Sequence, residues 1–167
     1  MEPVFRTAIL TVSDRAFSGA YQDQSGPALA AALPEPFVIV VARIVPDQRE
    51  AIRAALLELA DSEAADLILT TGGTGLAPRD VTPEATREVI ERATPGLDEA
   101  MRAASRAATP YGVLSRATSG IRGRCLIVNL PGSPQGAVEC LQALLPALPH
   151  GLKLLRGPVA DEEHRAP

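Results

Sequence analysis

The sequence predicts a three-layer α/β/α domain built on a mostly parallel, mixed central sheet. Apolar, β-branched runs alternate with helical patterns from one end to the other, and 167 residues are enough to bury one sizeable core. Hydrophobic residues make up 46% of the chain but aromatic residues only 3%, with no Trp. Ala, Leu, Val and Ile must therefore fill the interior, which favours helices packed closely on a sheet. The chain reads as a single domain over residues 1–167, with its core over roughly 6–158 and a loose tail after Pro158.

Residues 5–12 predict a first strand that enters a polar loop over 13–19, beginning Ser13-Asp14-Arg15. A helix is expected over 24–33, with Pro27 tolerated near its start. Residues 37–44, mostly Val and Ile, predict a second strand buried on both faces. Pro46-Asp47 then opens a helix whose Ile52, Ala55, Leu56 and Leu59 repeat at i, i+3, i+4 and i+7. Residues 66–71 predict a third strand. Thr82 and Pro83 suit the N-cap and N1 positions of a helix over 82–93. Pro95-Gly96 interrupts it, and helix resumes over 97–108. Residues 122–130 predict another strand, ending in Asn129-Leu130-Pro131-Gly132-Ser133-Pro134, and the last clear helix spans 135–145.

In open α/β sheets, ligands sit outside the carboxyl ends of the strands. The loops at Ser13, Pro46-Asp47, 72–80 and 129–133 all follow strands, so they should gather at one edge. The net charge of −4 and pI near 5.2 argue against a broad phosphate-backbone footprint. Scarce aromatics argue against a stacking platform for single strands. No apolar run approaches the roughly 18 residues of a membrane span, and residues 1–6 lack signal-peptide character. A soluble, cytoplasmic protein with no nucleic-acid or membrane partner is expected. Cys125 and Cys140 have neither metal-site spacing nor a disulfide framework around them and read as small buried apolar residues. Neither His150 nor His164 is assigned a role, and no Ser-His-Asp or Cys-His arrangement can be built.

The most informative stretch runs from Leu67 to Pro83: a short apolar strand, then Gly72, Gly73, Thr74 and Gly75, then Arg79-Asp80 ahead of a helix start. Glycines let the backbone approach a ligand and expose amide donors, and a helix start adds unpaired N–H groups. The loop lacks the Gly-Lys-Ser/Thr of a Walker A motif, and Pro78 stands where G-x-G-x-x-G needs its last glycine. A tight strand-to-helix turn is the plain alternative to a phosphate cup. The Asp80 carboxylate beside an anion site makes sense only with a cation or a proton transfer. Asp47, with Glu50 three residues on, matches a capping box, although a cap and a site residue are compatible. Two carboxylates at one strand edge could hold Mg²⁺ against phosphates, the usual way that ion is bound. Ser13-Asp14-Arg15 and the 129–133 loop could each be ordinary hydrogen-bonded turns.

Together these segments identify a resemblance. Thr11-Val-Ser-Asp-Arg-Ala-Phe-Ser-Gly-Ala-Tyr-Gln-Asp23, Arg43-Ile-Val-Pro-Asp47, Leu69-Thr-Thr-Gly-Gly-Thr-Gly75, Pro78-Arg-Asp-Val-Thr-Pro83, Leu114-Ser-Arg116 and Asn129-Leu-Pro-Gly132 recur in order over roughly residues 6–158. The chain resembles the MogA/MoaB-type proteins of molybdenum cofactor biosynthesis, and its first segment looks more like the molybdopterin adenylyltransferase branch than like MoaB. The resemblance implies an ATP- and Mg²⁺-dependent transfer of AMP onto the terminal phosphate of molybdopterin, with release of pyrophosphate, by a homotrimer. The family's two functional aspartates match Asp47 and Asp80, the catalytic pair expected here, with Asp80, assisted by Asp47, expected to position Mg²⁺ on the ATP phosphates. The resemblance matches Thr74 to the family's glycine-loop threonine and Ser105 to a serine implicated in binding the pterin; with the strand-end loops read above, the expected substrate contacts are Ser13, Gly72, Gly73, Thr74, Gly75, Ser105, Asn129, Pro131 and Gly132. The segment after Gly132 is shorter than in some relatives. Two other readings stand beside this one: a MoaB-like protein that holds the pterin without chemistry, and a CinA-type nucleotide pyrophosphatase, whose usual extra domain this chain lacks.

Overall fold

A computed structural model describes residues 3–157. The order along the chain is β1 (Phe5–Val12), α1 (Asp14–Phe17), α2 (Ser25–Ala32), β2 (Phe37–Val45), α3 (Arg49–Asp61), β3 (Leu67–Thr71), α4 (Thr82–Val89), β4 (Arg92–Ala93), α5 (Pro95–Ala108), β5 (Ser119–Arg122), β6 (Cys125–Leu130), α6 (Pro134–Leu144) and α7 (Leu148–Arg156). A 3₁₀ turn over Pro110–Leu114 follows α5. The strands form one sheet in the order β2-β1-β3-β6-β5-β4. β2, β1, β3 and β6 are parallel, whereas β5 and β4 run antiparallel to their neighbours.

The sheet has helices on both faces, as its central strands require. Alternate residues of β1 serve opposite cores: Phe5 and Ile9 pack with Leu29, Met101, Leu141 and Leu152, while Ala8, Leu10 and Val12 pack with Ile52, Leu56, Ala85 and Val89. One outer layer is thus α2, α5, α6 and α7, and the other is α3 and α4. The three-layer α/β/α prediction with a mixed, mostly parallel sheet holds. The α3 stripe of Ile52, Ala55, Leu56 and Leu59 is buried as its periodicity requires. Among the described residues, no helix is long and apolar enough to cross a membrane.

Several local expectations are corrected. β2 is an edge strand rather than one buried on both faces, and Val38 and Val40 are exposed along it. A Val/Ile run cannot by itself distinguish edge from centre. The single strand expected over 122–130 is a hairpin: Arg122 ends β5, Gly123 turns at φ +56°, and β6 begins at Cys125. The helix from Thr82 stops at Val89, because the chain leaves it to pair Arg92 and Ala93 with β5. The loop after β1 contains one turn of helix, capped by Ser13, whose Oγ accepts from the Ala16 N–H at 3.1 Å. Sequence patterning also missed α7. The tail after Pro158 lies outside the described residues.

Candidate functional site

The carboxyl ends of β1, β2, β3 and β6 converge, as the strand–loop order requires. Their loops line one cleft of about 250 Å³ that contains Ser13, Asp47, Gly72, Gly73, Asp80 and Gly132. The charged side chains lining it are Asp23, Asp47 and Asp80, with no Lys or Arg among them.

Asp47 is not the helix cap that its spacing suggested. The N-cap of α3 is Gln48, and Asp47 turns back toward β1. Its Oδ2 accepts the Asp14 N–H at 2.9 Å, while Asp14 Oδ1 accepts the Asp47 N–H at 3.0 Å. Burial raises the Asp47 pKa above the ordinary carboxylate value, and the nearby charges of Asp14 and Asp80 add to the effect. Asp14 is shifted the other way, chiefly by its hydrogen bond from Arg79 Nε at 2.6 Å. Asp80 uses Oδ2 to accept the Ala77 N–H at 3.0 Å, closing the turn that presents it.

The glycine loop is built to be tight. Gly72 and Gly73 lie at φ +103° and +68°. A Cβ on Gly72 would stand 2.3 Å from the Val12 carbonyl oxygen, and one on Gly73 would stand 2.3 Å from Thr82 Oγ1 and 3.2 Å from Asp47 Oδ1. All four loop carbonyls are committed to the protein. Gly72 O accepts from Thr82 Oγ1 at 2.9 Å and Gly73 O from the Thr82 N–H at 3.1 Å. Thr74 O accepts from the Arg116 N–H at 2.8 Å and Gly75 O from Arg116 Nε at 2.7 Å. The N–H groups of Gly73, Thr74 and Gly75 form no backbone hydrogen bond among the described residues. Peptides whose carbonyls are pinned inward offer their amides outward, the arrangement that receives an anion. Thr82 is accordingly a clamp on this loop and not the N-cap of α4, which is Val81.

The other expected site residues divide. Ser13 and Gly132 line the cleft. Thr74 and Gly75 line an adjoining cavity of about 450 Å³ that shares Gly73, Asp80 and Gly132 with the cleft. Pro131 contributes its carbonyl, which accepts from Thr71 Oγ1 at 2.7 Å and ties the β6 loop to the β3 end. Asn129 is fully buried, donating to Thr70 Oγ1 at 3.0 Å and Thr86 Oγ1 at 2.9 Å while its Oδ1 accepts the Thr118 N–H. Its amide is thus spent inside the sheet, where it supports the loop. Ser105 lies on α5 against Cys140 Sγ, 3.2 Å away, and lines neither cavity; Ser115 lines the second.

Arg116 and Asp14 escaped sequence reasoning as working parts. Arg116 staples the loop through Gly75 O, through Asp80 O at 2.7 Å and through an ion pair with Glu84. Its place in Leu114-Ser-Arg116 was a motif match without a physical role. Asp14 sat in a segment that read equally well as a turn. Cys125 and Cys140 are buried and free, as expected; burial pushes the Cys125 thiol up to about 12 and raises Cys140 as well.

The chain is similar to known proteins over most of its length. Residues 8–150 match the family model described as "Probable molybdopterin binding domain". A molybdopterin adenylyltransferase from Helicobacter pylori (strain J99) is 43% identical over 152 residues, covering 89% of this chain and 86% of that protein. One from Escherichia coli (strain K12) is 41% identical over 172 residues, covering 93% and 88%. The crystal structure of the molybdopterin biosynthesis enzyme MoaB from Thermus thermophilus superposes with a TM-score of 0.88 at 52% identity, covering 93% of this chain and 98% of that one.

Proposed function

The chain belongs to the MogA/MoaB family of molybdenum cofactor biosynthesis proteins, and on that premise we propose that it is a molybdopterin adenylyltransferase that takes AMP from ATP, with Mg²⁺, and releases pyrophosphate. It is a nucleotidyltransferase by kinship to the adenylyltransferases at 41–43% identity. The observation that carries the chemistry is the pairing of Asp47 and Asp80 with an outward-facing set of loop amides in a cleft lined by no basic side chain. Such a cleft repels polyphosphate on its own and accepts it with a divalent cation.

The residues fit Mg²⁺. No cluster of three or more His, Cys, Asp or Glu side chains among the described residues would hold a metal by itself. Mg²⁺ is commonly bound by one or two carboxylates plus substrate phosphates, and Asp47 and Asp80 would supply those carboxylates. Held there, a divalent cation would supply the positive charge that offsets the two phosphate groups being joined.

The rest of the reaction falls to the chain. The amides of Gly73, Thr74 and Gly75 hold a phosphate, and Arg116 and Thr82 keep the loop rigid by fixing its carbonyls. An oxygen of the pterin's terminal phosphate attacks the α-phosphorus of ATP. The new P–O bond forms as the bond to the β-phosphate oxygen breaks, and pyrophosphate leaves with that electron pair. A phosphate monoester, with its second pKa near ~6, is largely ionised at neutral pH, so no residue need remove a proton. This accounts for a site without histidine. Assembly as a homotrimer in the cytoplasm is part of the proposal; the exposed Val38 and Val40 of β2 favour self-association.

Similarity to a structure named MoaB keeps one second reading in view, pterin binding without transfer. Incubation with ATP, Mg²⁺ and molybdopterin separates the two. The proposal expects pyrophosphate and an adenylated pterin, and a loss of roughly 100-fold or more in Asp80→Asn with pterin binding retained. Pterin binding by the wild-type protein without pyrophosphate, or undiminished turnover of Asp80→Asn, overturns it.

A further inference from the structure

Asp98, in the first turn of α5, is a buried carboxylate that the adenylyl-transfer reading leaves without a task. An ionisable group inside a protein is disfavoured unless its hydrogen bonds are met there. Burial raises the Asp98 pKa, against the opposing effects of the Ser119 and Thr118 hydroxyls and of the Arg102 and Arg87 charges. Both carboxylate oxygens are engaged: Oδ1 accepts from Ser119 Oγ at 2.5 Å and Oδ2 from Thr118 Oγ1 at 3.3 Å. One turn further along α5, Arg102 Nη1 donates to the Ala117 carbonyl at 3.0 Å. Residues four apart lie on the same helix face, so Asp98 and Arg102 grip residues 117–119 together.

The chain just before these residues is a strap that returns along α5. The 3₁₀ turn over Pro110–Leu114 lies flat on the helix, since a Cβ on Gly112 would stand 2.5 Å from the Ser105 carbonyl carbon and 2.6 Å from the Arg106 nitrogen. The strap is thus tied to α5 at both ends, at Gly112 and at 117–119. Ser115 and Arg116 lie between the ties. Ser115 lines the cavity beside the cleft, with Tyr111 and Leu114. The Arg116 N–H donates to Thr74 O at 2.8 Å, and its guanidinium reaches Gly75 O and Asp80 O, both at 2.7 Å, as well as Glu84.

We infer that Asp98 and Arg102 are positioning residues of the transfer site, holding the strap so that Arg116 keeps the glycine-loop carbonyls turned inward. The inference rests on the adenylyl-transfer reading, in which the loop amides hold a phosphate. Neither side chain lines the cleft or the cavity beside it, so both act through Arg116. An arginine fork is planar and rigid, and it meets Gly75 O and Asp80 O together only from a fixed main-chain position. Hydrogen bonds weaken steeply with misalignment, so a strap free to slide along α5 would release these staples first. An apolar residue at position 98 would fill the space between α5 and the start of β5. It would not fix the strap along its length, which the directional bonds of a carboxylate do.

Asp98→Ala releases Thr118 and Ser119, and Arg102→Met withdraws the donor from Ala117 O while keeping a long apolar stem. Pyrophosphate release is measured for each, alone and combined with Arg116→Lys, which keeps the charge but loses the planar fork. Each single variant should lower kcat about tenfold, on the scale of slightly misplacing a working group. In the Arg116→Lys background the same substitutions should change kcat by less than about twofold, because residues that act as one unit give non-additive losses. Losses that multiply, or a kcat within about twofold of wild type in both single variants, overturn the inference. Amide hydrogen exchange is the second readout. The Arg116 N–H should exchange about tenfold faster relative to the amides of β3; an equal rise in both would report a general loss of stability and overturn the inference. If Asp98→Ala does not fold by circular dichroism, Arg102→Met decides. A wild-type protein that releases no pyrophosphate defeats the transferase reading instead, and hydrogen exchange then decides whether α5 holds the strap.

Discussion

Asp14 and Asp47, 33 positions apart, hold each other through their main chains: each carboxylate accepts the other's N–H, at 3.0 and 2.9 Å. The remaining Asp14 oxygen accepts from Arg79 Nε. Three strand-end loops are thereby locked together around the cleft, and Asp47 keeps one oxygen outside the exchange. Asp14 is a positioning residue. Asp14→Ala should lower kcat by roughly tenfold to a hundredfold, the usual penalty for misplacing a working group, with little change in pterin binding. Asp14→Asn retains an acceptor for the Asp47 N–H and should recover part of the loss. Equal loss in both variants would mean that charge, and not geometry, is what Asp14 supplies.

Asp47 sets a pH dependence. Burial, with Asp14 and Asp80 nearby, raises its folded pKa above its unfolded value, so the folded protein binds this proton more tightly than the unfolded chain does. Stability is favoured below the ordinary carboxylate value of about 3.9 and declines as pH rises through the raised folded value. Asp47→Asn removes that decline. At neutral pH it should melt at the same or a higher temperature than wild type, while turnover is lost. Thermal melts recorded from acid to neutral pH check the sign: a wild-type advantage that grows with pH would contradict it.

Asn129 links β6 to β3, to α4 and to the segment before β5 from a fully buried position. Asn129→Ala leaves Thr70, Thr86 and the Thr118 N–H without their partner. The expected loss is about 2–3 kcal/mol, the scale of buried polar groups left unsatisfied. Urea unfolding measures it, and a loss below about 0.5 kcal/mol would remove the amide from this role.

Gly72 and Gly19 form a matched pair. Both have positive φ, +103° and +81°, but a Cβ on Gly72 meets the Val12 carbonyl oxygen whereas one on Gly19 meets nothing within 4 Å. Gly19→Ala should cost only the backbone strain, about 1–2 kcal/mol. Gly72→Ala adds a backbone clash and should cost more, with loss of turnover as the amide cup shifts. Equal melting temperatures for the two variants would show that the β1–β3 approach is looser than this.

Much of the fold was legible because it is written in local patterns. β1, the buried stripe of α3 and the strand–glycine–helix order around Gly72 follow from periodicity and backbone conformation within a dozen residues. The errors at β2 and at Arg92-Ala93 share one cause, since each depended on a partner far along the chain. The edge position of β2, the pairing of Arg92-Ala93 with β5 and the burial of Asn129 leave no mark in their own segments. Asp47 shows the same divide, for its spacing to Glu50 imitates a cap while its true partner is the Asp14 peptide.

By itself, the order of residues determined an α/β/α domain and a family resemblance, and put polar loops after four strands. Only the tertiary structure decided that Asp23, Asp47 and Asp80 share a cleft without a basic side chain, that Arg116 and Thr82 turn the loop carbonyls inward, and that Ser105 and Asn129 stand away from it. Periodicity reports which side of an element faces the core. Hydrogen-bond partners and electrostatic neighbours are settled only when distant loops are packed against one another.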